Sequence, residues 1–499
     1  MLLLILMQIG VFTITTSRLQ AYSTAISGIM LCMRVIVIIY VINSEGNPAF
    51  KMTWILCIIT FPVVGTLFYI YVKLQVGTRF LKHRLSTLKT EMSQYMVQDK
   101  DIVDALWASR SANARLSHYL SNQLNFPTYR NTQVRYFPLG EDKFRCLLAE
   151  LKKARKFIFM EYFIVEEGYM LDQILEILIQ KVREGVEVRF MYDGMCAISM
   201  LPYDYPEKLK HYGIQCKMAN AVKPFLSTTQ NNRDHRKICV IDGKTAFTGG
   251  INIGDEYINR KERFGHWKDT AIMLKGDAVQ SFTMMFLEMW NAIRSKDKDD
   301  EDYEPFFPEL EYTQKEEGAL IQPYGDTPLD SEHVGENVYL NAISSAERYV
   351  WIITPYLVIT DEMNRAMGLA AERGVDVRII TPGIPDKRTI YTVTRSYYQR
   401  LVQDGVRIFE YTPGFCHAKQ LIADDRVALC GTINFDFRSL YHHFEDGVLF
   451  TNCKAVQDMK ADFEHCFPLC MEVTKKYKKT RNLLQRGWNS ILRLFSSLL

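Results

Sequence analysis

Apolar residues run almost unbroken through two windows near the start of the chain, Tyr22–Ile42 and Met52–Val72. A helix needs about 20 apolar residues to cross the hydrocarbon core of a bilayer, so each window predicts a transmembrane span. Arg34 interrupts the first, and a charge at that depth must snorkel or face the second helix. Met1–Thr15 is apolar but short, and lacks the basic leader and small-residue cleavage site of a secretory signal. A third short span and an interfacial segment both fit it.

From about residue 130 the pattern changes to strands alternating with helices. Lys156–Ile164 reads as a buried strand, Leu171–Arg183 has helical apolar spacing, Gly185 stops it, and Val186–Tyr192 is the next strand. The same order returns in Arg348–Leu357, Met363–Arg373, Gly374 and Val375–Thr381. Aligning GVEVR with GVDVR gives a shift of 189 residues, which predicts two copies of one α/β unit. Near the end, Asn482–Leu499 places Leu483, Leu484, Trp488, Ile491, Leu492, Phe495 and Leu498 largely on one helical face, directly after KKYKKTR. That combination predicts an interfacial helix drawn to anionic lipid, with a core-packed terminal helix as the alternative. The chain therefore divides into a membrane anchor (1–74), a basic juxtamembrane linker or helical segment (75–129), a first repeat (130–294), an acidic connector (295–318), a second repeat (319–474) and a basic amphipathic helix (475–499).

Charge sharpens this division. The formal net charge is only +3 over 499 residues. It is a cancellation: residues 1–74 carry +3, 75–90 carry +4, 475–499 carry +7, and the body between carries −11. Lys73, Arg79, Lys82, His83, Arg84 and Lys89 follow the second apolar window, so the positive-inside rule places the rest of the chain in the cytoplasm. The acidic run in Ser295–Gly318 reads as a solvated connector and not as a metal site. The eleven cysteines are an odd number without repeated spacing, which fits free thiols in a reducing compartment.

The chemistry sits in a motif present once per repeat. His235-Arg236-Lys237 is followed by Asp242 and by Gly249-Gly250-Ile251-Asn252; His417-Ala418-Lys419 is followed by Asp424 and by Gly431-Thr432-Ile433-Asn434. Both fit H-x-K-x(4)-D, with an Asn seventeen residues after the His. On a strand, His-x-Lys sets both side chains on one face. Two such strands brought together offer two imidazoles, two ammonium groups and two carboxamides to one tetrahedral phosphate. The lysines and asparagines would neutralise its oxygens without a metal, while one His attacks phosphorus and the other protonates the leaving oxygen.

At these residues the chain resembles the phospholipase D superfamily, and more closely its bacterial cardiolipin synthase branch. The likeness rests on DHRKICVIDGKTAFTGGINIGDEY (Asp234–Tyr257), HWKDTAIMLKGDAV (His266–Val279), CHAKQLIADDRVALCGTINFDFRS (Cys416–Ser439), the closing RLFSSLL, and NPAFKMTWILCIITFPVVGTLFYIY (Asn47–Tyr71). It implies an α/β fold of two tandem α/β/α sandwich repeats forming a pseudo-dimer, preceded by transmembrane helices. It also implies His235 as nucleophile and His417 as general acid and then base, an order that the residues alone do not fix. Lys237, Lys419, Asn252 and Asn434 would hold the phosphate, with backbone or hydroxyl contacts from Gly250 and Thr432. The family places a carboxylate some thirty residues beyond each His to hold its second ring nitrogen, and Asp269 and Glu445 stand at those positions. Asp242 and Asp424 then serve chiefly as strand-end scaffolding with a lesser electrostatic part in the site. His442-His443 depart from the family pattern before the aromatic-Glu pair, and read as exposed.

The motif alone specifies a phosphodiester. The anchor, the acidic body and the basic amphipathic end favour lipid over nucleic acid. Phe225, Tyr391, Tyr397, Tyr398 and Phe415 fit either lipid-facing walls or a packed core. The expectation is a multi-pass enzyme of a bacterial cell membrane that joins two phosphatidylglycerol molecules into cardiolipin plus glycerol on an anionic membrane. It needs no cofactor and no metal, and a homo-oligomer is left open. A hydrolytic phospholipase D, a phosphatidylethanolamine donor and a tethered nuclease are the alternatives.

Overall fold

The computed structural model describes residues 7–8, 10, 13–14, 22–73, 76–109, 112–221, 232–293, 301–311 and 318–478, with 487, 489–490 and 492–493. Most of Met1–Thr15, Phe225, the start of the acidic connector and most of the terminal amphipathic face lie outside the described residues. The chain forms two compact units, one built on the N-terminal helices through Phe80 and one holding both α/β repeats.

In the first unit, α1 (Ser23–Asn43) contains the 20-residue window Thr24–Asn43 with a mean hydropathy of 2.5. Among the described residues it is the one helix long and apolar enough to cross a membrane. The expected second span is instead two helices, α2 (Pro48–Thr60) and α3 (Val64–Lys73). Asn47 caps α2 by accepting the Ala49 N–H at 2.9 Å. Pro62 has no N–H to donate and disfavours helical geometry at Phe61, so the helix stops there. The chain then folds back: the Trp54 ring packs 5.7 Å from Phe68 and 5.2 Å from Tyr69 between centroids. Fourteen residues of straight helix would separate such rings by about 21 Å. Gly65 permits the approach, since a Cβ there would stand 2.6 Å from the Cys57 carbonyl oxygen. Met52–Val72 is therefore a helical hairpin and not a straight span.

In the second unit the first repeat supplies β1 (Thr132–Phe137), β2 (Phe157–Tyr162), β3 (Glu187–Asp193), β4 (Gln215–Ala219), β5 (Lys237–Ile241), β6 (Thr245–Gly249) and β7 (Ala271–Gly276). Their order is β1-β7-β6-β5-β2-β3-β4. The second repeat supplies β8 (Leu320–Asp326), β9 (Tyr349–Ile353), β10 (Asp376–Pro382), β11 (Arg407–Tyr411), β12 (Gln420–Ala423), β13 (Val427–Gly431) and β14 (His443–Thr451). They run β8-β14-β13-β12-β9-β10-β11, the same topology, with an added edge strand Cys470–Glu472. In each sheet the β2-type strand and its two successors are parallel and the remaining pairs within the repeat are antiparallel.

Both faces of each sheet are covered, which is why β2 is buried along its whole length. Alternation splits its side chains between the layers. Ile158, Met160 and Tyr162 share a core with Phe144 and Leu147 of α4 (Gly140–Leu151) and with Leu171 and Ile174 of α5 (Tyr169–Arg183). Phe159 faces the other way and stacks on Phe286 of α6 (Val279–Ala292), centroids 4.6 Å apart. Each fully buried side chain of this kind is worth about 1.5–3 kcal/mol of transfer free energy.

Candidate active site

The two motif segments meet where the repeats join. Arg233 and Asp234 pair in parallel with His443 and Phe444 at the start of β14, and the His235 N–H donates to the Phe444 carbonyl at 2.9 Å. The reciprocal bond runs from the His417 N–H to the Lys268 carbonyl at 2.7 Å. Phe444 and Lys268 immediately precede the two candidate carboxylates. The backbone therefore sets each His beside the carboxylate of the other repeat. His235 Nδ1 donates to Glu445 Oε2 at 2.8 Å, and His417 Nδ1 to Asp269 Oδ2 at 2.7 Å. A carboxylate only accepts, so both rings carry their proton on Nδ1 and keep the Nε2 lone pair free. Reading the carboxylates by their distance along the chain after each His couples them within a repeat; the structure exchanges them.

Burial holds His235 well below an ordinary imidazole, with Lys237 adding to the effect and Glu445 opposing it. Burial and then Lys419 lower His417 to about 4, against the pull of Asp269. Burial alone would raise Glu445, yet His235 and His443 keep it well below the usual carboxylate range, and thus ionised. The motif lysines are buried like their histidines. Lys237 donates to the His235 carbonyl, and Lys419 to the His417 carbonyl, with its Nζ also 2.9 Å from His417 Nδ1, the nitrogen that faces Asp269. Desolvation brings Lys237 down to about 7 and Lys419 to about 8. Arg236 is engaged elsewhere, 2.7 Å from Glu161 and 3.2 Å from Asp234.

The other expected residues divide. Asn252 lies at the site, but its carbonyl oxygen accepts from Ile164 N–H at 3.0 Å and its amide donates to Tyr257 Oη at 2.8 Å. Asn434 is buried with its Oδ1 unpartnered. Gly250 and Thr432 do not offer the contacts expected of them. The Gly250 N–H is bound to the Thr270 carbonyl at 2.9 Å, and the Thr432 N–H and hydroxyl both engage Asp446 backbone groups. Gly250 instead makes room for Asp269, whose Oδ1 would stand 2.0 Å from a Cβ at that position. Asp242 and Asp424 do not join the cluster. Each lies at the far end of its motif strand with positive φ, 53° and 57°. Asp242 accepts the N–H groups of Arg155, Lys156 and Phe157, and Asp424 those of Glu347, Arg348 and Tyr349, all within 2.7–2.9 Å.

Several neighbours escaped sequence reasoning. His443 is buried and packs against His235, ring centroids 5.2 Å apart, so the exposed reading of this residue is corrected. The signal was available: His443 and Glu445 stand two apart on one strand and must share a face. Phe163 packs edge-on against His235 at 4.8 Å, and Tyr257 and Trp267 pack on His417 at 5.7 and 5.5 Å. Asp446 bonds the Thr248 hydroxyl of the first repeat, and burial raises it to about 7. Of the aromatic wall candidates, Tyr397, Tyr398 and Phe415 are buried in the core, and Tyr391 donates to the Gly383 carbonyl at 3.2 Å.

Two α/β repeats of identical topology, each lending a His-x-Lys segment at the head of a strand to one joint cluster, define a phospholipase D-type enzyme. Comparison with known proteins agrees. The family model "Cardiolipin synthase, PLD-like domain" matches residues 147–290 and 339–467, and "Phospholipase_D-nuclease N-terminal" matches 33–73. A cardiolipin synthase of Halalkalibacterium halodurans is 32% identical over 100% of this chain and 99% of its own. An uncharacterized Streptococcus mutans protein is 46% identical over 93% of this chain and 99% of its own. The chain belongs to the cardiolipin synthase family of the phospholipase D superfamily. A solved phosphatidylserine synthase of Haemophilus influenzae shares the fold, with a TM-score of 0.57 at 15% identity, covering 77% of this chain and 98% of that one.

Proposed function

We propose that the enzyme joins two phosphatidylglycerol molecules into cardiolipin and glycerol through a phosphatidyl-histidine. The observation that carries this reading is the pair of imidazoles, each oriented through Nδ1 by a carboxylate from the opposite repeat. His235 Nε2 attacks phosphorus of the first lipid, and the P–O bond to the terminal glycerol breaks as His417 gives that oxygen a proton. A hydroxyl of the second phosphatidylglycerol then loses its proton to His417 and displaces His235. Lys237 and Lys419, with Asn252 and Asn434 beside them, balance the phosphoryl charge as it develops. The phosphodiester anion opposes the field of Lys419, and so raises His417 from about 4 when substrate is in place.

Helix α1 crosses the bilayer in this reading, and the hairpin of α2 and α3 inserts from the side where it leaves. The basic residues from Lys73 to Lys89 support a cytoplasmic catalytic unit by the positive-inside rule, with anionic lipid as its substrate. The residue ranges assigned to anchor, linker, repeats, connector and terminal helix follow the sequence reading, with the hairpin in place of the second span.

Purified enzyme incubated with phosphatidylglycerol vesicles tests the proposal. Cardiolipin with equimolar glycerol supports transfer, and phosphatidic acid as the sole lipid product overturns it in favour of hydrolysis. Cardiolipin formed only when phosphatidylethanolamine is added would assign a different donor. Unchanged lipid with cleavage of oligonucleotides would assign a nuclease.

A further inference from the structure

Beside His235 lies a donor set that phosphoryl transfer leaves partly unused. His443 Nδ1 is 3.4 Å from Glu445 Oε1, on the side of the carboxylate away from the His235 bond. That nitrogen is buried without a hydrogen-bond partner, and the residue as a whole is 9% exposed. One donor atom from each of His235, His443 and Glu445 lies within 4.8 Å of the other two, and among the described residues no other group of three does so. Two imidazoles and a carboxylate form the donor set of an open zinc site, completed by water at the fourth position. Donors at about 2.0–2.2 Å from one tetrahedral ion stand roughly 3.3–3.6 Å apart, so side-chain rotations of about an ångström close the set.

We propose that His235, His443 and Glu445 form an inhibitory site for a divalent cation of borderline softness, Zn²⁺ above all. A neutral imidazole has a single lone pair on its two ring nitrogens. Zinc bound at Nε2 of His235 covers the nucleophile directly. Zinc bound at Nδ1 sends the ring proton to Nε2, with the same result, and also takes Glu445 from its orienting role. Lys237 acts on His235 from the same face and opposes the ion's charge. The site therefore suits reversible capture and not a resident cofactor. Its position ties inhibition to the reading of His235 as nucleophile, whereas the binding itself is independent of that reading.

The test uses full-length enzyme in lipid–detergent micelles, stripped with a chelator and dialysed. Zn²⁺ alone is titrated against a chromophoric competitor, Co²⁺ is followed by visible absorption, and turnover of phosphatidylglycerol is measured in parallel. One equivalent of zinc, the intense visible bands of four-coordinate cobalt, and binding weakened about tenfold or more in H443N and H443Q are the expected results. Chelator restores zinc-inhibited turnover, and both variants lose the zinc sensitivity of whatever activity they retain. No stoichiometric binding by the wild type, or only weak six-coordinate cobalt bands, overturns the site without recourse to a variant. Equal affinity in a variant that melts like the wild type overturns it as well. Zinc held through His443 with turnover unchanged keeps the metal site and overturns both inhibition and the role of His235.

Discussion

Glu445 of the second repeat accepts the ring proton of His235 of the first at 2.8 Å, and Asp269 returns the exchange to His417 at 2.7 Å. Neither repeat holds both a motif histidine and the carboxylate that orients it, so the pseudo-dimer is the chemical unit and the joint between repeats is part of the site. The exchange separates the two half-reactions by residue. On a phosphatidyl ester with nitrophenol as leaving group, attack needs an oriented nucleophile but no general acid. Glu445→Gln should then slow the burst of nitrophenol by about 10²–10⁴-fold, by analogy with loss of an orienting carboxylate in other histidine dyads. Asp269→Asn should leave the burst near wild type and slow turnover of phosphatidylglycerol. The reverse pattern would make His417 the nucleophile.

The pH profile follows from the same neighbours. His235 must be neutral to attack, and its pKa is held well below 6.5, so the acid limb lies below that value and activity falls as the pH drops through it. His417 must be protonated to release glycerol, and in the free site burial and Lys419 hold it to about 4. Activity is therefore lost as the pH rises through its alkaline limb. Bound phosphodiester raises that pKa, so the limb of kcat lies at higher pH than that of kcat/KM. Lys419→Met removes the lowering charge and should move the kcat/KM limb upward at a reduced rate. An unmoved limb would assign it to another group.

Most of this fold is written in the chain's periodicity. The apolar run Lys156–Ile164, the helical spacing that ends at Gly185 and the return of both around Gly374 mark the repeat, because strands covered on two faces must be apolar throughout. The motif histidines and lysines are equally legible, since His-x-Lys can only share a strand face. The partner of each His is not. Position along the chain couples His235 with Asp269, whereas the pairing is decided by backbone bonds across the joint, from His235 to Phe444 and from His417 to Lys268. The hairpin at Pro62 was hidden for a related reason: an apolar window measures hydrophobicity, and one missing N–H decides whether it stays straight.

Gly250 is tested by a single methyl group. With Asp269 Oδ1 2.0 Å from the position of a Cβ, Gly250→Ala must push the carboxylate off His417 or shift β6. Overpacking of this kind costs about 1–3 kcal/mol, and displacement of a catalytic group by about an ångström costs on the order of 10²-fold in rate. The variant should fold, melt a few degrees lower, and lose phosphatidylglycerol turnover far more than the nitrophenyl burst. Wild-type turnover would remove Asp269 from the role of orienting group.

Chelation separates the proposed chemistry from metal catalysis. No step draws on a metal ion, so EDTA at millimolar concentration should leave the rate unchanged in zinc-free buffer and raise it where zinc is present. A rate abolished by EDTA and restored by Mg²⁺ or Ca²⁺ would require a different mechanism.

Asp242 and Asp424 carry stability where His235 and His417 carry chemistry. Each carboxylate accepts three backbone N–H groups at the start of a neighbouring strand, and each sits at a positive φ that Asp tolerates better than most residues. Asp242→Ala leaves those donors unpaired at the edge of the core, a loss of about 2–4 kcal/mol. Thermal and denaturant unfolding should therefore show a clearly lower midpoint. Activity per folded molecule, measured well below that midpoint, should stay within a few-fold of wild type, because the aspartate lies at the other end of β5 from Lys237. A loss of several hundredfold in a variant still shown to be folded would mean that the strand-end carboxylate acts on the site through its field, and would return Asp242 to the catalytic set.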